Sequence, residues 1–288
     1  MKILVVFKKT FESAHDRCME RVESACRSAE QAQRASFTLR PRDLVVRSDF
    51  EDRDMIIVVG GDGTLTSIAH NVGSDVPVLG VNSHPIAEDP EGSVGFYLDS
   101  DAERFEEHLD RALNGDVITN VVPRLQATIV TTSGNTIRSD PALNDLFVAN
   151  TQAYSPSRYR IQRADASGSI TLDERHLSSG LLCSTWLGRG AWLDKAADLS
   201  CISFQASQLQ THYLVHTRDL PVERHHSDDL AWLDWTEQPT VITSDMHRGF
   251  VVSDGWDEYA FNRGAVITIG LSGPTLRLIT FEKELVES

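Results

Sequence analysis

Residues 55–64 read Met-Ile-Ile-Val-Val-Gly-Gly-Asp-Gly-Thr, and this stretch decides the fold of the first part of the chain. The apolar residues 55–59 predict a buried strand of a parallel sheet. Two glycines, Asp62, a third glycine and Thr64 follow directly. Apolar side chains then recur at helical spacing, at Leu65, Ile68, Ala69 and Val72. We therefore expect a strand, a glycine turn and a helix in succession.

The composition of the glycine turn suits the binding of phosphate. Gly60, Gly61 and Gly63 lack the Cβ atom that would keep a ligand away from the backbone amides. Amide groups at a helix N-terminus favour anions, above all phosphate. Asp62 lies where a hydroxyl, a metal ion and a phosphate could meet, so phosphoryl transfer is the first hypothesis. A tight turn with a capping aspartate would show the same local sequence, and the motif alone does not separate these readings.

The chain around the turn predicts an α/β domain with a parallel sheet, which we assign to residues 1–120. Strands and helices are expected at residues 2–7, 14–32, 77–82 and 102–113. Alternation of strands and helices is typical of this architecture. Ligands bind such sheets at the carboxyl ends of the strands. Asn82 ends a predicted strand, so we expect it at the same edge as the glycine turn.

The pattern changes after Val117 to short β-like runs separated by turn signals. They cover residues 125–131, 135–138, 145–149, 158–163, 169–172, 180–184, 201–204, 241–243, 249–252, 258–261, 265–269 and 276–279. One predicted helix, at residues 190–199, interrupts the series. We expect a β-rich sandwich domain over residues 121–275. Residues 276–288 are expected to return to the first domain.

Composition restricts the function classes. The formal net charge is −15, whereas a protein that binds nucleic acid usually carries a basic face. No apolar run approaches the roughly 20 residues that cross a bilayer. The four cysteines form no CxxC pair and are expected to be buried free thiols of a cytoplasmic protein. We therefore expect neither a nucleic-acid nor a membrane partner.

Asn144 and Asp145 form a second polar pair, at the start of a predicted strand. A side-chain amide beside a carboxylate can contact a base edge and hold sugar hydroxyls. An Asx turn that enters the strand is the structural alternative.

Residues 180–192 predict a strand, a glycine-containing turn and a helix. Ser184 and Thr185 offer hydroxyls at the end of the strand, Arg189 could meet a phosphate, and Trp192 could stack on a planar ring. A helix N-terminus with a packed tryptophan and an exposed arginine is the alternative. Ser184 lacks the G-x-S-x-G surroundings of a hydrolase nucleophile.

His225 and His226 lie in an acidic stretch, where a metal ion is conceivable. A solvated loop is the favoured interpretation, because no second cluster at metal-ligand spacing follows. We assign no metal-ligating residue from the sequence.

These motifs together resemble the NAD kinase family. Residues 60–64 match its GGDGT motif, which lipid kinases such as diacylglycerol kinases also carry. Residues 77–82 with Gly95-Phe96 are similar to its P-x-L-G-I-N…G-F segment, here with an inserted loop. Asn144-Asp145 stands where the family has Asn-Glu. Residues 180–192 stand at its second glycine motif, and the tail keeps a D-G…L-R-L-I outline. The Ser179-Gly180 start of the second glycine motif, its G-x-x-A-W ending and residues 261–265 look closest to the divergent, mitochondrial-type branch.

The resemblance implies a phosphotransferase that uses magnesium-bound ATP, or another divalent cation, to phosphorylate the adenosine ribose 2′-hydroxyl of NAD(H). It implies that Asp62 is catalytic. It also implies a homodimer or homotetramer, because in this family a neighbouring subunit often completes the acceptor site. The implied nucleotide- and phosphate-binding residues are Gly60, Gly61, Gly63, Thr64, Asn82, Asn144, Asp145, Ser184, Thr185, Gly188, Arg189, Ala191 and Trp192.

The second glycine motif departs from the family pattern. Trp186-Leu187 replaces Pro-Thr, Arg189-Gly190 replaces Ser-Thr, and Trp192 replaces Tyr. Two alternatives therefore remain open at this stage. One is a kinase of the same superfamily that acts on another hydroxyl acceptor, such as a lipid, sugar or nucleoside. The other is a nucleotide-binding regulatory protein without turnover.

Overall fold

The computed structural model describes residues 1–220, 233–282 and 284–285. The chain divides into two compact units: Met1–Val122 with the chain from Thr275 onward, and Pro123–Pro274. His225 and His226, which we considered as metal ligands, lie outside the described residues. Within the described ranges, no helix is both long and apolar enough to cross a membrane.

The first unit is built on a seven-stranded sheet. Its strands are β1 (Lys2–Phe7), β2 (Ser36–Pro41), β3 (Met55–Gly60), β4 (Pro77–Asn82), β5 (Ser100–Asp101), β6 (Ile118–Val122) and, from the end of the chain, β19 (Leu276–Thr280). The order is β2-β1-β3-β4-β19-β6, and β5 also pairs with β4. The pairs are parallel except β19 with β6.

Three α-helices accompany the described strands of this unit. They are α1 (Ser13–Gln31), α2 (Asp62–Ala69) and α3 (Phe105–Asn114), and short 3₁₀ helices span Arg42–Leu44 and Arg47–Phe50. All six residues of β3 are buried. The apolar face of α1, including Cys18 and Val22, packs in one cluster with Ile57 of the sheet. A fully apolar strand needs cover on both faces, which explains why helices flank this sheet. The predicted α/β fold is confirmed.

The second unit contains two six-stranded antiparallel sheets. One has the order β11-β10-β15-β18-β7-β8, and the other β14-β13-β12-β9-β16-β17. The strands are β7 (Gln126–Val130), β8 (Thr136–Arg138), β9 (Asp145–Asn150), β10 (Ser157–Ala164), β11 (Ile170–Ser178), β12 (Gly180–Ser184), β13 (Tyr213–Arg218), β14 (Leu233–Thr236), β15 (Thr240–Ser244), β16 (Gly249–Ser253), β17 (Glu258–Ala260) and β18 (Val266–Gly270). Inward side chains of both sheets, such as Ile161 of β10 and Val148 of β9, share one buried core. The predicted β-rich sandwich is confirmed.

Some predictions about individual elements of the chain were wrong. Residues 201–204 are not a strand, although Phe204 stacks on Trp186 with ring centroids 4.2 Å apart. Their apolar alternation reflects packing of alternate side chains without a partner strand. Cys201 is exposed, whereas the other three cysteines are buried free thiols. The helix expected at residues 190–199 is reduced to short pieces: the 3₁₀ helix Leu187–Ala191 and α4 (Leu193–Ala196), with another 3₁₀ helix at Ala206–Gln208. Strands β5, β6, β13 and β14 were not predicted.

Candidate functional site

The glycine turn joins β3 to α2, and the packing around it requires two of its glycines. A Cβ atom on Gly60 would lie 2.3 Å from Oγ1 of Thr64, and one on Gly61 would lie 2.8 Å from Cβ of Ser93. Both distances are shorter than any side chain tolerates. Gly63 faces open space instead. Thr64 is buried, and its Oγ1 accepts a hydrogen bond of 3.4 Å from the Gly61 amide.

The Asp62 carboxylate is held by hydrogen-bond donors from residues 93–97. Oδ2 accepts from the Ser93 hydroxyl at 3.1 Å, the Gly95 amide at 2.9 Å and the Phe96 amide at 3.1 Å. Oδ1 accepts from the Tyr97 amide at 3.0 Å. The side chain is therefore fixed in one orientation, and Oδ1 accepts fewer hydrogen bonds than Oδ2.

Asn82 lies beside this turn, as its position at the end of β4 predicted. It pairs with Gly60 across β3 and β4. Its side chain is buried: Nδ2 donates to the Ser93 carbonyl at 3.1 Å, and Oδ1 accepts from the His84 amide at 3.3 Å. Asn82 thus shapes the loop that carries Ser93. Within the first unit, the predicted residues Gly60 to Thr64 and Asn82 are close neighbours.

Asn144 and Asp145 stand at the start of β9, where Asp254 organises the backbone. The Asp254 carboxylate accepts hydrogen bonds from the amides of Leu143 at 2.7 Å, Asn144 at 2.7 Å and Asp145 at 3.0 Å. Three amides that converge on one carboxylate fix this corner of the sheet. The sequence analysis placed Asp254 in a turn and in the D-G outline of the tail, but it assigned no role to its side chain. Its role depends on a contact more than 100 residues away in the chain.

Burial gives the carboxyl groups of Asp145 and Asp254 unusual acidities. The Asp145 side chain is 8% exposed and makes no hydrogen bond to the described residues. Burial, followed by the charge of Asp254, raises the pKa of Asp145 to about 7. Burial also raises the pKa of Asp254 to about 6, against the lowering effect of the three amides and Arg124. Arg124 is itself buried, which lowers its pKa to about 10.

Ser184 and Thr185, the predicted hydroxyl residues at the end of β12, support the backbone at the start of β9. Ser184 Oγ donates to the Asn144 carbonyl at 3.1 Å, and Thr185 Oγ1 donates to the Leu143 carbonyl at 2.7 Å. Both side chains are fully buried. The Gly188 amide donates to Thr185 Oγ1 at 2.9 Å. The structure therefore brings Ser184, Thr185 and Gly188 together with Asn144 and Asp145, as supports of the backbone.

Arg189, Ala191 and Trp192 form the edge of this group. The Arg189 guanidinium lies over the Trp186 ring, 4.2 Å from its centroid, and Nη1 donates to the Trp186 carbonyl at 2.6 Å. Trp192 packs against Phe147, with centroids 4.8 Å apart. Ala191 is exposed. Trp192 is thus packed, as the structural alternative predicted, whereas Arg189 is half-buried against Trp186 and not exposed.

The fold and the turn together suit one class of protein, a phosphotransferase with a hydroxyl acceptor. A rigid carboxylate beside a helix N-terminus and a glycine turn provides positioning and an anion site, which such chemistry needs. Residues 3–117 match the family model described as the ATP-NAD kinase N-terminal domain. The resemblance to NAD kinases inferred from the motifs is thereby confirmed.

Similar proteins cover nearly the whole chain. A probable NADH kinase of Oryza sativa subsp. japonica is 27% identical over 292 residues, which span 96% of this chain and 86% of that protein. The crystal structure of an NAD kinase from Archaeoglobus fulgidus in complex with ATP matches with a TM-score of 0.72 and 19% identity, over 98% of this chain and 95% of that chain. Yeast NADH kinase complexed with NADH matches with a TM-score of 0.72 and 16% identity, over 97% and 83% of the two chains.

Proposed function

We propose that this protein is an NAD(H) kinase, which transfers the γ-phosphoryl group of ATP to the 2′-hydroxyl of the adenosine ribose of NAD(H). The observation that carries the proposal is the Asp62 carboxylate, which four donors fix on the glycine turn. The similarity to NAD and NADH kinases over nearly the full chain supports the same function.

Asp62 acts on the acceptor hydroxyl. Among the described residues, Oδ1 receives a single hydrogen bond, from Tyr97, so it keeps a lone pair for the hydroxyl proton. The other donors hold the carboxylate still, which places the hydroxyl in line with the phosphoryl group. The amide of Gly63 at the start of α2 provides a donor for a phosphate oxygen.

A divalent cation such as magnesium fits this donor set. The Asp62 carboxylate supplies a negative charge at the start of α2, and magnesium is usually held by one or two carboxylates together with substrate phosphates. When bound, the cation neutralises phosphate charge during transfer.

Asn144 and Asp145 hold the adenine and ribose of the acceptor in this proposal. The Asp145 carboxylate is buried and has no hydrogen-bond partner among the described residues, so ribose hydroxyls would supply the missing donors. The remaining predicted residues of the second unit, from Ser184 to Trp192, support or border this pair. We further propose a homodimer or homotetramer in the cytoplasm, a compartment that suits its four free thiols.

The decisive experiment measures NADP(H) formation from ATP and magnesium with NAD or NADH as the acceptor. We expect product with at least one dinucleotide. Asp62→Asn should reduce kcat by about three orders of magnitude while the protein stays folded, because the amide lacks a basic oxygen lone pair of comparable strength. Nucleotide binding by both forms without any product would favour the regulatory protein. Phosphorylation of a different alcohol would favour the alternative kinase.

A further inference from the structure

A second concave surface lies at the other end of the sandwich strands from Asp145. Its cavity has a volume of about 500 Å³, with Asn150, Arg158, Asp245, His247, Arg248 and Arg263 among its lining residues. Asn150 ends β9, whereas Asp145 begins it. Five extended steps of about 3.4 Å separate the two residues, or roughly 17 Å. The cavity is therefore distinct from the acceptor corner.

The lining carries an excess of positive charge. The side chains of Arg158 and Arg248 make no hydrogen bond or ion pair with any described residue. Arg263 donates only to the backbone carbonyl of Asp245, at 3.4 and 3.3 Å. Among the lining residues that the structure describes, Asp245 is the single carboxylate, and Arg175 lies 3.9 Å from it. Three arginines thus line one cavity in a chain whose net charge is −15.

Backbone hydrogen bonds fix the segments that carry these arginines. The Asp245 amide donates to the Arg158 carbonyl at 3.0 Å, and the Thr151 amide donates to the Arg248 carbonyl at 3.1 Å. Gly249 follows Arg248 in a crowded position, where a Cβ atom would lie 2.4 Å from the Phe261 carbonyl oxygen. The fold therefore sets the backbone positions from which these arginines line the cavity.

We propose that this cavity binds a small anion that carries two adjacent phosphoryl groups. A guanidinium group presents paired N–H donors that match phosphate oxygens, so several arginines around one cavity favour a multiply charged phosphate. The volume lies within the ordinary range of small-molecule sites. A nucleic acid does not suit the cavity, because the acidic surface of the whole chain repels a long polyanion.

The test is calorimetric titration of the full chain with pyrophosphate at constant low ionic strength. We compare the wild type with the Arg158→Gln/Arg248→Gln double variant and with Arg138→Gln. Arg138 is an exposed arginine on β8 of the same unit and does not line the cavity. Removal of two charge-assisted contacts should weaken pyrophosphate binding by at least about tenfold, whereas Arg138→Gln should stay within about twofold of wild type.

Three results would overturn the proposal. The wild type could fail to bind pyrophosphate, or the double variant could bind it as well as the wild type does. In the latter case the glycine turn of the first unit would account for the binding. The third result is measured by sedimentation of the same samples. If the double variant dissociates into smaller species while its pyrophosphate binding is unchanged, acidic side chains of a second copy of the chain fill the cavity. None of these readouts depends on kinase activity.

Discussion

At the scale of single residues, Ser93 links the inserted loop to the glycine turn. Its hydroxyl donates to Asp62 Oδ2 and accepts from the Asp62 amide, both at 3.1 Å. The loop that carries it is closed by a hydrogen bond of 2.8 Å from the Ser93 amide to the His84 carbonyl. Ser93 therefore positions the Asp62 carboxylate, although no sequence motif marks it.

Ser93→Ala should lower kcat about tenfold and leave KM for the dinucleotide unchanged. Loss of one hydrogen bond to a charged group costs about 1.5 kcal/mol, close to the value that corresponds to a factor of ten in rate. Ser93→Thr, which keeps a hydroxyl, should recover most of the activity. Steady-state kinetics with both variants provides the measurement.

Ser74→Ala serves as the control for this comparison, since Ser74 lies in a turn of the same unit and has no hydrogen bond to its hydroxyl group among the described residues. A Ser93→Ala enzyme with wild-type kcat would show that the three amides of residues 95–97 hold Asp62 without help. A changed KM at constant kcat would indicate a binding role instead.

At the scale of elements, the turn after β12 supports the start of β9. Gly188 packs so closely on Asn144 that a Cβ atom would lie 2.2 Å from its Cα atom. The Thr185 amide donates to the Asn144 carbonyl at 2.9 Å. The second glycine motif thus acts through backbone contact, which explains why it tolerates Trp186 and Leu187 in place of smaller residues.

Gly188→Ala should destabilise the second unit by about 2–3 kcal/mol, the usual range for overpacking, and raise KM for the dinucleotide. Gly190→Ala is the matched control, because the nearest atom to its Cβ position is 3.8 Å away, on Asp194. That variant should stay within about 0.5 kcal/mol of wild type. Urea unfolding followed by tryptophan fluorescence measures both. Equal effects of the two substitutions would refute the role assigned to the contact at Gly188.

At the scale of the whole molecule, the end of the chain completes the first unit. Strand β19 lies between β4 and β6, so residues 276–280 share a sheet with strands from the first 122 residues of the chain. All five tryptophans fall between Pro123 and Pro274. Their fluorescence therefore reports on the second unit.

The stability of the second unit should fall as the pH rises from about 4 to 7, the interval between the two pKa values of Asp145. The pKa of Asp145 is about 7 in the folded protein, whereas its ordinary value, taken for the unfolded chain, is 3.8. Between these two pKa values the folded state retains a proton that the unfolded chain has released. A rise in pH therefore favours unfolding. Asp145→Asn should flatten this dependence by an amount on the order of 2 kcal/mol and should be the more stable form at pH 8.

Asp257→Asn is the control for the pH series, because this exposed carboxylate belongs to the same unit. Its unfolding free energy should follow the wild-type curve at every pH. Parallel curves for Asp145→Asn and the wild type would show that Asp145 ionises in the folded protein as it does in the unfolded chain.

The amino-acid sequence determined the architecture and the centre of the candidate site. Local patterns sufficed there: an apolar run predicts a buried strand, and the glycines with Asp62 predict a phosphate-binding turn, because these properties belong to consecutive residues. The same holds for the alternation along β10, whose inward residues are buried.

The tertiary structure alone decided which residues hold Asp62 and Asn144 in position. Ser93 reaches Asp62 across 31 positions, and Asp254 reaches Asn144 across 110. Such contacts depend on how distant segments pack, and no periodicity of the chain encodes them. The raised pKa of Asp145 has the same origin, since burial is a property of the folded molecule.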